Sequence, residues 1–290
     1  MHESPTNPQI IWRTRTREFD LTHRGVVMGI LNATPDSFSD GGRFVNLDSA
    51  LAHADEMIAH GAEIIDVGGE STRPGAEPVD EREELRRVIP IIEQLAKHDG
   101  HGGRFVISAD TMKPAVARAA MRAGASVIND VGGFRENEMI AAAKESGAGA
   151  VIMHMQGEPR TMQDVPSYAD VCVAVRNFFC ESLRRCVASG VPATNTAFDP
   201  GIGFGKTPRH NLDLLQRMNG LALPGRPLVV GVSRKSFIGK VLGLSAPEDR
   251  EWPTVALTCH SRERGARVFR VHDVKPNVEA LRMTEAILGA

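Results

Sequence analysis

Short apolar runs alternate with amphipathic stretches along most of the chain. Each run is nearly continuous in apolar, often β-branched residues, which is typical of strands covered on both faces. The pattern predicts eight strands, at residues 26–32, 62–69, 105–110, 126–130, 150–155, 196–201, 227–233 and 266–271. Apolar residues with a helical period follow them and predict helices at residues 49–60, 81–97, 114–123, 138–146, 168–189, 208–218, 254–263 and 277–288.

Glycine residues support the predicted ends of these helices. Five predicted helices are followed by a glycine, which favours the left-handed conformation that often ends a helix: Gly61, Gly124, Gly147, Gly190 and Gly265.

Eight strand–helix units in one α/β chain predict a single (β/α)8 barrel. An open, doubly wound sheet is the alternative, but the turn after the first strand, at residues 31–35, lacks the GxGxxG pattern of dinucleotide-binding sheets.

The first 25 residues precede the predicted barrel, so we divide the chain into an N-terminal extension at residues 1–25 and a barrel at residues 26–290. The extension alternates weakly between apolar and polar positions, with Ile10 and Trp12 apolar and Arg13 and Arg15 polar. Alternation of this kind predicts a hairpin that closes the bottom of the barrel. A frayed tail is the alternative.

Composition excludes several classes of protein. The 290 residues include 34 Lys and Arg and 36 Asp and Glu, a net charge of −2 that gives no reason to expect nucleic acid or a membrane as partner. The first eight residues lack the features of a signal peptide, and no apolar run reaches the roughly 18 residues of a membrane-spanning helix. Four cysteines without a CxxC pair predict reduced thiols in a cytoplasmic protein.

Polar groups stand at or just after the C-terminal end of every predicted strand. Barrel enzymes carry their active sites at this end. A single polar residue there is more often a loop cap, but eight of them favour a functional site, because burying each unpaired would cost roughly 1–3 kcal/mol. The eight positions are Asn32, Arg73, Asp110, Asn129, His154, Asp199, Lys235 and His272.

These groups divide by charge. Asp110, Asn129 and Asp199 offer acceptors that suit a flat heterocycle with an N–H edge, since a carboxylate accepts two parallel N–H bonds from a guanidine-like group. The cationic or potentially cationic groups, with one amide, suit a phosphate or diphosphate bound directly or through a divalent cation: Arg73, Lys235, Arg270, His272 and Asn32. The pattern therefore predicts a nitrogen heterocycle beside an anionic leaving group.

Two other kinds of site fit the spacing poorly. His154 and His272 stand alone, without the HxH or HExxH spacing of a catalytic zinc site. Residues 201–207 end like a phosphate-binding P-loop, but Pro200 occupies the position of its first glycine. We interpret this segment as a glycine-rich loop whose backbone can approach a flat ligand.

Eight segments carry a specific combination of motifs: 28–42 (MGILNATPDSFSDGG), 66–75 (DVGGESTRPG), 108–111 (SADT), 128–130 (IND), 154–157 (HMQG), 198–206 (FDPGIGFGK), 233–236 (SRKS) and 270–274 (RVHDV). Together they resemble the dihydropteroate synthases, a family of pterin-binding barrels, and the resemblance runs from residue 26 to residue 288. The resemblance implies condensation of 7,8-dihydropterin-6-ylmethyl diphosphate with p-aminobenzoate to 7,8-dihydropteroate and pyrophosphate. It also implies Mg²⁺ as cofactor and a homodimer.

The resemblance also implies a role for individual residues. For the pterin it implies Asp110, Asn129, Asp199 and Lys235, with apolar walls from Ile30, Val131, Met153 and Phe204. For the diphosphate it implies Asn32, Arg270 and His272, with Asn32 as the Mg²⁺ ligand. For p-aminobenzoate it implies Phe38, Thr72, Arg73, Pro74, Lys235 and Ser236. The expected catalytic residues are Asp110, Asp199, Lys235, Arg270 and His272.

Two alternatives share the expected fold. A pterin-dependent methyltransferase would bind the same heterocycle, but it has no need for the basic segment 233–235 or for a diphosphate clamp at Arg270 and His272. A pterin-binding relative without catalysis should have lost loop residues, and Thr72 and Asp110 are both present.

Overall fold

Eight parallel strands close into a barrel in the computed structural model, which describes residues 9–33, 47–71, 76–98, 103–158, 161–162 and 164–289. A hairpin of β1 (Ile11–Arg13) and β2 (Glu18–Asp20) precedes the barrel. The barrel strands are β3 (Val26–Asn32), β4 (Ile64–Gly68), β5 (Val106–Asp110), β6 (Val127–Asp130), β7 (Gly149–Met153), β8 (Thr196–Asp199), β9 (Leu228–Val230) and β10 (Ala266–Val271). β10 pairs with β3 and closes the ring, which confirms the predicted barrel and excludes the open sheet.

Helices surround the barrel and alternate with its strands. They are α1 (Leu47–Ala59), α2 (Glu81–His98), α3 (Pro114–Ala123), α4 (Asn137–Ser146), α5 (Val171–Ala188), α6 (Pro208–Gln216), α7 (Ser236–Leu242), α8 (Glu251–Glu263) and α9 (Val274–Leu288). Their inner faces pack against the outward side chains of the strands and form the larger hydrophobic core. No helix among the described residues combines the length and apolar character needed to cross a membrane.

The short helix α7 was missing from the sequence prediction. It has seven residues and contains Gly239, which lowers helix propensity. A Cβ at Gly239 would lie 2.4 Å from the carbonyl oxygen of Leu244, so close packing requires glycine at this position. Helix α7 begins directly after Lys235 and therefore helps to fix the end of the loop that follows β9.

A second, smaller core fills the lower half of the barrel interior. Side chains alternate between the two faces of a strand, so every second residue of a barrel strand points inward. The innermost apolar positions are Val26, Met28, Ile64, Val106, Val127, Val151, Ala197, Val229 and Val268, and they pack against Trp12, Phe19 and Leu21 from the N-terminal segment.

The N-terminal hairpin closes the bottom of the barrel. Trp12 lies opposite Phe19 in the hairpin register, and the two rings stack with their centroids 5.9 Å apart. The indole Nε1 of Trp12 donates a hydrogen bond to the backbone oxygen of Asn195 at 3.0 Å. The predicted hairpin is confirmed, and residues 9–25 are not a frayed tail. The division of the chain into domains at residue 25 stays a prediction.

The four cysteines are free thiols in the structure. Cys172 and Cys186 are buried, whereas Cys180 and Cys259 are partly exposed. Burial raises the pKa of Cys186 to about 11, so its thiol stays protonated at neutral pH.

The hairpin contact gives a stability prediction. Because Trp12 is fully buried, we expect Trp12→Ala to lower the free energy of unfolding by about 3–5 kcal/mol in urea titrations. Trp12→Phe keeps a large ring and loses the N–H donor, so it should cost only about 1–2 kcal/mol. Wild-type stability in Trp12→Ala would contradict a structural role of the hairpin in the barrel.

Candidate active site at the mouth of the barrel

The alternation along the strands places polar layers above the apolar core. Two residues beyond the innermost apolar positions, the inward side chains form a middle layer: Ile30, Asp66, Ser108, Asn129, Met153, Asp199, Gly231 and Arg270. Two residues further on, a rim layer follows at the mouth: Asn32, Gly68, Asp110, Val131, Met155, Gly201, Ser233 and His272. The interior therefore changes from apolar to polar towards the C-terminal ends of the strands.

A partly buried arginine connects the acidic side chains of these layers. The Nε atom of Arg270 lies 2.6 Å from Oδ2 of Asp66, and its Nη2 atom lies 2.6 Å from Oδ2 of Asp110. Asn129 donates from Nδ2 to the same Asp66 oxygen at 3.0 Å. Four strands thus contribute to one network of acidic and basic groups at the C-terminal end of the barrel.

The network shifts the pKa values of its members. Burial alone would lower the pKa of Arg270, but Asp66 and Asp110 outweigh it and raise this pKa. Burial raises the pKa of Asp110 to about 7; Arg270 opposes this rise, and the carboxylate of Asp66 adds to it. Two acidic groups share one arginine here, so a ligand with N–H donors would relieve a local excess of negative charge.

Asp199 is the last residue of β8 and is held by the turn that follows. Its Oδ1 accepts a hydrogen bond from the backbone N–H of Gly201 at 2.6 Å. Burial raises the pKa of Asp199, while this N–H and the nearby Lys235 oppose the rise. Gly201 has φ +65°, and a Cβ there would lie 2.0 Å from the carbonyl oxygen of His154. The tight turn that orients Asp199 therefore depends on glycine.

An apolar patch lies beside these carboxylates. Val131, Met153 and Phe204, three of the four predicted pterin walls, pack together with Met155 and Met162 in a cluster separate from the main cores. The fourth predicted wall is buried in the middle layer, where Ile30 lies next to Asp66 in the strand register.

Lys235 reaches this apolar patch from the other side. Its Nζ atom lies 3.8 Å from the ring centroid of Phe204, a cation–π contact. Lys235 is the residue before α7, and Ser236 is the exposed first residue of that helix. The structure therefore brings predicted pterin-binding and p-aminobenzoate-binding residues to the same edge of the cavity.

His272 lies in the rim layer and is tied to the neighbouring strand end. Its backbone N–H donates to Oγ of Ser233 at 3.1 Å, and its Nδ1 lies 3.0 Å from the same oxygen. Arg234 adopts φ +57° and binds both carboxylate oxygens of Asp273, at 3.0 and 2.5 Å. These bonds hold the segments after β9 and β10 together at the C-terminal end of the barrel.

Asn32 is the residue expected to bind Mg²⁺. It ends β3, is half-buried and lies beside Gly68 in the strand register. Mg²⁺ commonly binds through one or two protein oxygens together with substrate phosphates and water. An amide oxygen at the mouth, near Arg270 and His272, fits an ion whose remaining ligands come from a diphosphate.

The predicted site residues Phe38, Thr72, Arg73 and Pro74 lie outside the described residues. The sequence prediction omitted Asp66, although this aspartate is central to the network. Asp66 stands in the otherwise apolar strand β4, two residues beyond the inward-facing Ile64. A charged residue at an inward position of a buried strand was the signal that could have identified it.

Comparison with known proteins agrees with this geometry. Residues 28–272 match the family model described as pterin binding enzyme, so the fold and site define a pterin-binding barrel. The dihydropteroate synthase of Escherichia coli (strain K12) is 48% identical over 273 residues, covering 93% of this chain and 94% of that protein. The chain belongs to the dihydropteroate synthase family, which confirms the resemblance seen in its motifs.

Solved structures of the same family are also similar to this chain. The dihydropteroate synthase of Burkholderia cenocepacia complexed with 7,8-dihydropteroate has a TM-score of 0.87 and 42% identity, covering 98% of each chain. That of Xanthomonas albilineans with 4-aminobenzoic acid has a TM-score of 0.89 and 40% identity, covering 97% of this chain and 99% of that one.

The buried network gives a second stability prediction. Asp66→Ala leaves Arg270 with one carboxylate and removes the acceptor of Asn129, so we expect it to lower the free energy of unfolding by about 3–5 kcal/mol. As a control, Glu138→Ala removes an exposed ion pair with Arg118 and should cost less than about 1 kcal/mol. Equal effects of the two substitutions in urea titrations would show that the Asp66 network does not support the fold.

Proposed function

We propose that this chain catalyses the condensation of 7,8-dihydropterin-6-ylmethyl diphosphate with p-aminobenzoate, which forms 7,8-dihydropteroate and pyrophosphate. The main support is the network at the mouth of the barrel in which Arg270 bridges Asp66 and Asp110. Membership of the dihydropteroate synthase family supports the same reaction. Relatives of similar fold bind 7,8-dihydropteroate and 4-aminobenzoic acid, the expected product and second substrate.

The pterin ring would bind within the middle and rim layers. Asp110, Asn129 and Asp199 provide oxygen acceptors for the N–H groups of its guanidine-like edge. The patch formed by Met153 and Phe204, with the other members of its cluster, offers an apolar surface to the ring. An ionised carboxylate at Asp110 or Asp199 also favours positive charge on the ring electrostatically.

The diphosphate would lie at the mouth, next to Arg270, His272 and Asn32. Arg270 carries donors suited to phosphate oxygens, and His272 can donate a further hydrogen bond. Asn32 would hold Mg²⁺, which when bound neutralises charge that develops on the leaving diphosphate.

We propose that the reaction resembles an SN1 substitution. The bond between the pterin methylene carbon and the diphosphate oxygen breaks first, and its electron pair leaves with pyrophosphate. The resulting cation is delocalised into the dihydropterin ring and is stabilised by Asp110 and Asp199. The amine of p-aminobenzoate then forms the C–N bond and releases a proton to solvent. Because an aryl amine is only weakly basic, it needs little prior deprotonation.

The p-aminobenzoate would enter next to Lys235 and Ser236. Lys235 stands between the pterin wall at Phe204 and the start of α7, so its ammonium can face a carboxylate at the mouth. Phe38, Thr72, Arg73 and Pro74 complete this part of the proposal on the basis of their motifs alone.

We also propose a homodimer in the cytoplasm. Exposed apolar side chains on α7 and α9, including Leu242, Met283 and Ile287, support association of two copies. Four free cysteines support a reducing compartment.

The reaction itself is directly testable. In the presence of Mg²⁺, purified protein should convert the pterin diphosphate and p-aminobenzoate into equal amounts of pyrophosphate and dihydropteroate, measured by a coupled phosphate assay and by chromatography. Chelation of Mg²⁺ with EDTA should abolish turnover, and added Mg²⁺ should restore it. Binding of the pterin without either product would favour the non-catalytic relative, and transfer of a methyl group from a methylated pterin would favour the methyltransferase.

Asp110 gives a prediction with a pH dependence. Asp110→Asn should lower kcat/KM roughly 100-fold without loss of fold, because the amide cannot offer the same negative charge. The pKa of Asp110 is raised to about 7, so wild-type pterin affinity should fall as the pH drops below about 7 and the carboxylate becomes protonated. Calorimetry should show a smaller fall in Asp110→Asn. Asp55→Asn, on an exposed face of α1, is the control, and normal turnover in Asp110→Asn would remove Asp110 from the mechanism.

A further inference from the structure

Lys206 is a buried cation behind the pterin side of the cavity. Only 2% of its surface is exposed. Its Nζ donates to the carbonyl oxygens of Phe204 at 2.9 Å and His154 at 3.2 Å, and lies 3.1 Å from Nδ1 of His154. Burial lowers the pKa of His154 to about 3, so this ring is neutral and its Nδ1 accepts from the ammonium. The charge is therefore held by neutral acceptors.

These bonds join two backbone segments that approach each other closely. A Cβ at Gly201 would lie 2.0 Å from the carbonyl oxygen of His154, and one at Gly205 would lie 2.5 Å from that of Gln156. Both glycines have positive φ, so the loop after β8 bends back onto the end of β7. Lys206 is the side chain that connects the two segments.

The connection determines where the ring of Phe204 lies. The carbonyl of Phe204 is bound to Lys206, while its ring packs in the cluster with Met153 and carries Lys235 on one face. Displacement of this short loop would therefore move an apolar wall of the pterin pocket.

Lys206 also acts on Asp199 through its charge. Burial raises the pKa of Asp199, and the positive charge of Lys206 opposes this rise together with the N–H of Gly201 and the charge of Lys235. Burial in turn lowers the pKa of Lys206 to about 7, with Asp199 opposing and Lys235 adding to the shift. Arg270 also faces Asp199, and Arg135 lies near His154.

We propose that Lys206 is a positioning residue for the pterin half of the site, which holds Phe204 against the ring and places a positive charge near Asp199. The inference rests on the function proposed above and deepens it, because it separates pterin binding from p-aminobenzoate binding. Lys206 itself lies behind the cavity wall and acts through Phe204 and Asp199.

Two substitutions separate the hydrogen bonds from the charge. Lys206→Met removes both and keeps an apolar stem of similar length, whereas Lys206→Gln keeps a donor for the carbonyl oxygens without the charge. Lys97→Met, at an exposed position of α2, is the matched control. The probe is 6-hydroxymethyl-7,8-dihydropterin, which lacks the diphosphate and so reports on the ring alone.

We expect Lys206→Met to weaken binding of this probe roughly tenfold in calorimetry at pH 7, with the KM for p-aminobenzoate changed less than about twofold. Lys206→Gln should have the melting temperature of the wild type, but its affinity for the probe should stay as low as that of Lys206→Met. Lys97→Met should match the wild type in every measurement.

The pH profile is a readout that a purely structural role would not change. Wild-type affinity for the probe should decrease as the pH rises above about 7, because Lys206 then loses its proton. This alkaline decrease should be absent from Lys206→Gln and Lys206→Met. Should Lys206→Met fail to fold, the profile of Lys206→Gln alone decides the question.

Wild-type affinity and an unchanged alkaline decrease in the Lys206 variants would overturn the inference while leaving the proposed function intact. Equal losses of pterin and p-aminobenzoate binding would also overturn it, since a general loss of structure would then suffice. A wild-type protein that does not bind the probe would instead overturn the proposed function, and this inference with it.

Discussion

The ionic bridge from Arg270 to Asp66 and Asp110 is the interaction on which the site depends. A charge inside a barrel is stable only when it is paired and hydrogen-bonded, because the interior screens poorly and solvates ions weakly. Arg270 meets this condition by contacting carboxylates on β4 and β5 from its own position on β10. The same bridge leaves one more acidic group than basic group in its immediate surroundings. That imbalance makes the cavity suited to a ring with several N–H donors.

Much of this arrangement follows from the sequence, because strand alternation is a strict geometric rule. The eight apolar runs predicted the barrel, and the polar residues at their ends predicted the rim, including Asp110 and His272. The walls Val131, Met153 and Phe204 came from the family resemblance, and the structure places them in one cluster. Their roles in binding remain predictions.

The missing parts depend on contacts between segments far apart in the chain. The importance of Asp66 depends on its contact with Arg270, which lies 204 residues later in the chain, so the local sequence of β4 does not show it. The sequence shows Lys206 only as part of a glycine-rich loop. Its burial could not be predicted, because it depends on how that loop folds back onto the end of β7. Helix α7 was missed because Gly239 resembles a loop residue, although tight packing selects it. In each case tertiary structure outweighs the local signal.

The hairpin beneath the barrel affects how small molecules enter and leave the site. Among the described residues, Trp12, Phe19 and the apolar layer above them close the bottom of the barrel, so small molecules reach the polar layers from the side of the rim layer. A ring seated among Asp110, Asn129 and Asp199 would lie deeper than a molecule beside Ser236. In the proposed arrangement the deeper molecule would therefore have to enter before its neighbour and leave after it.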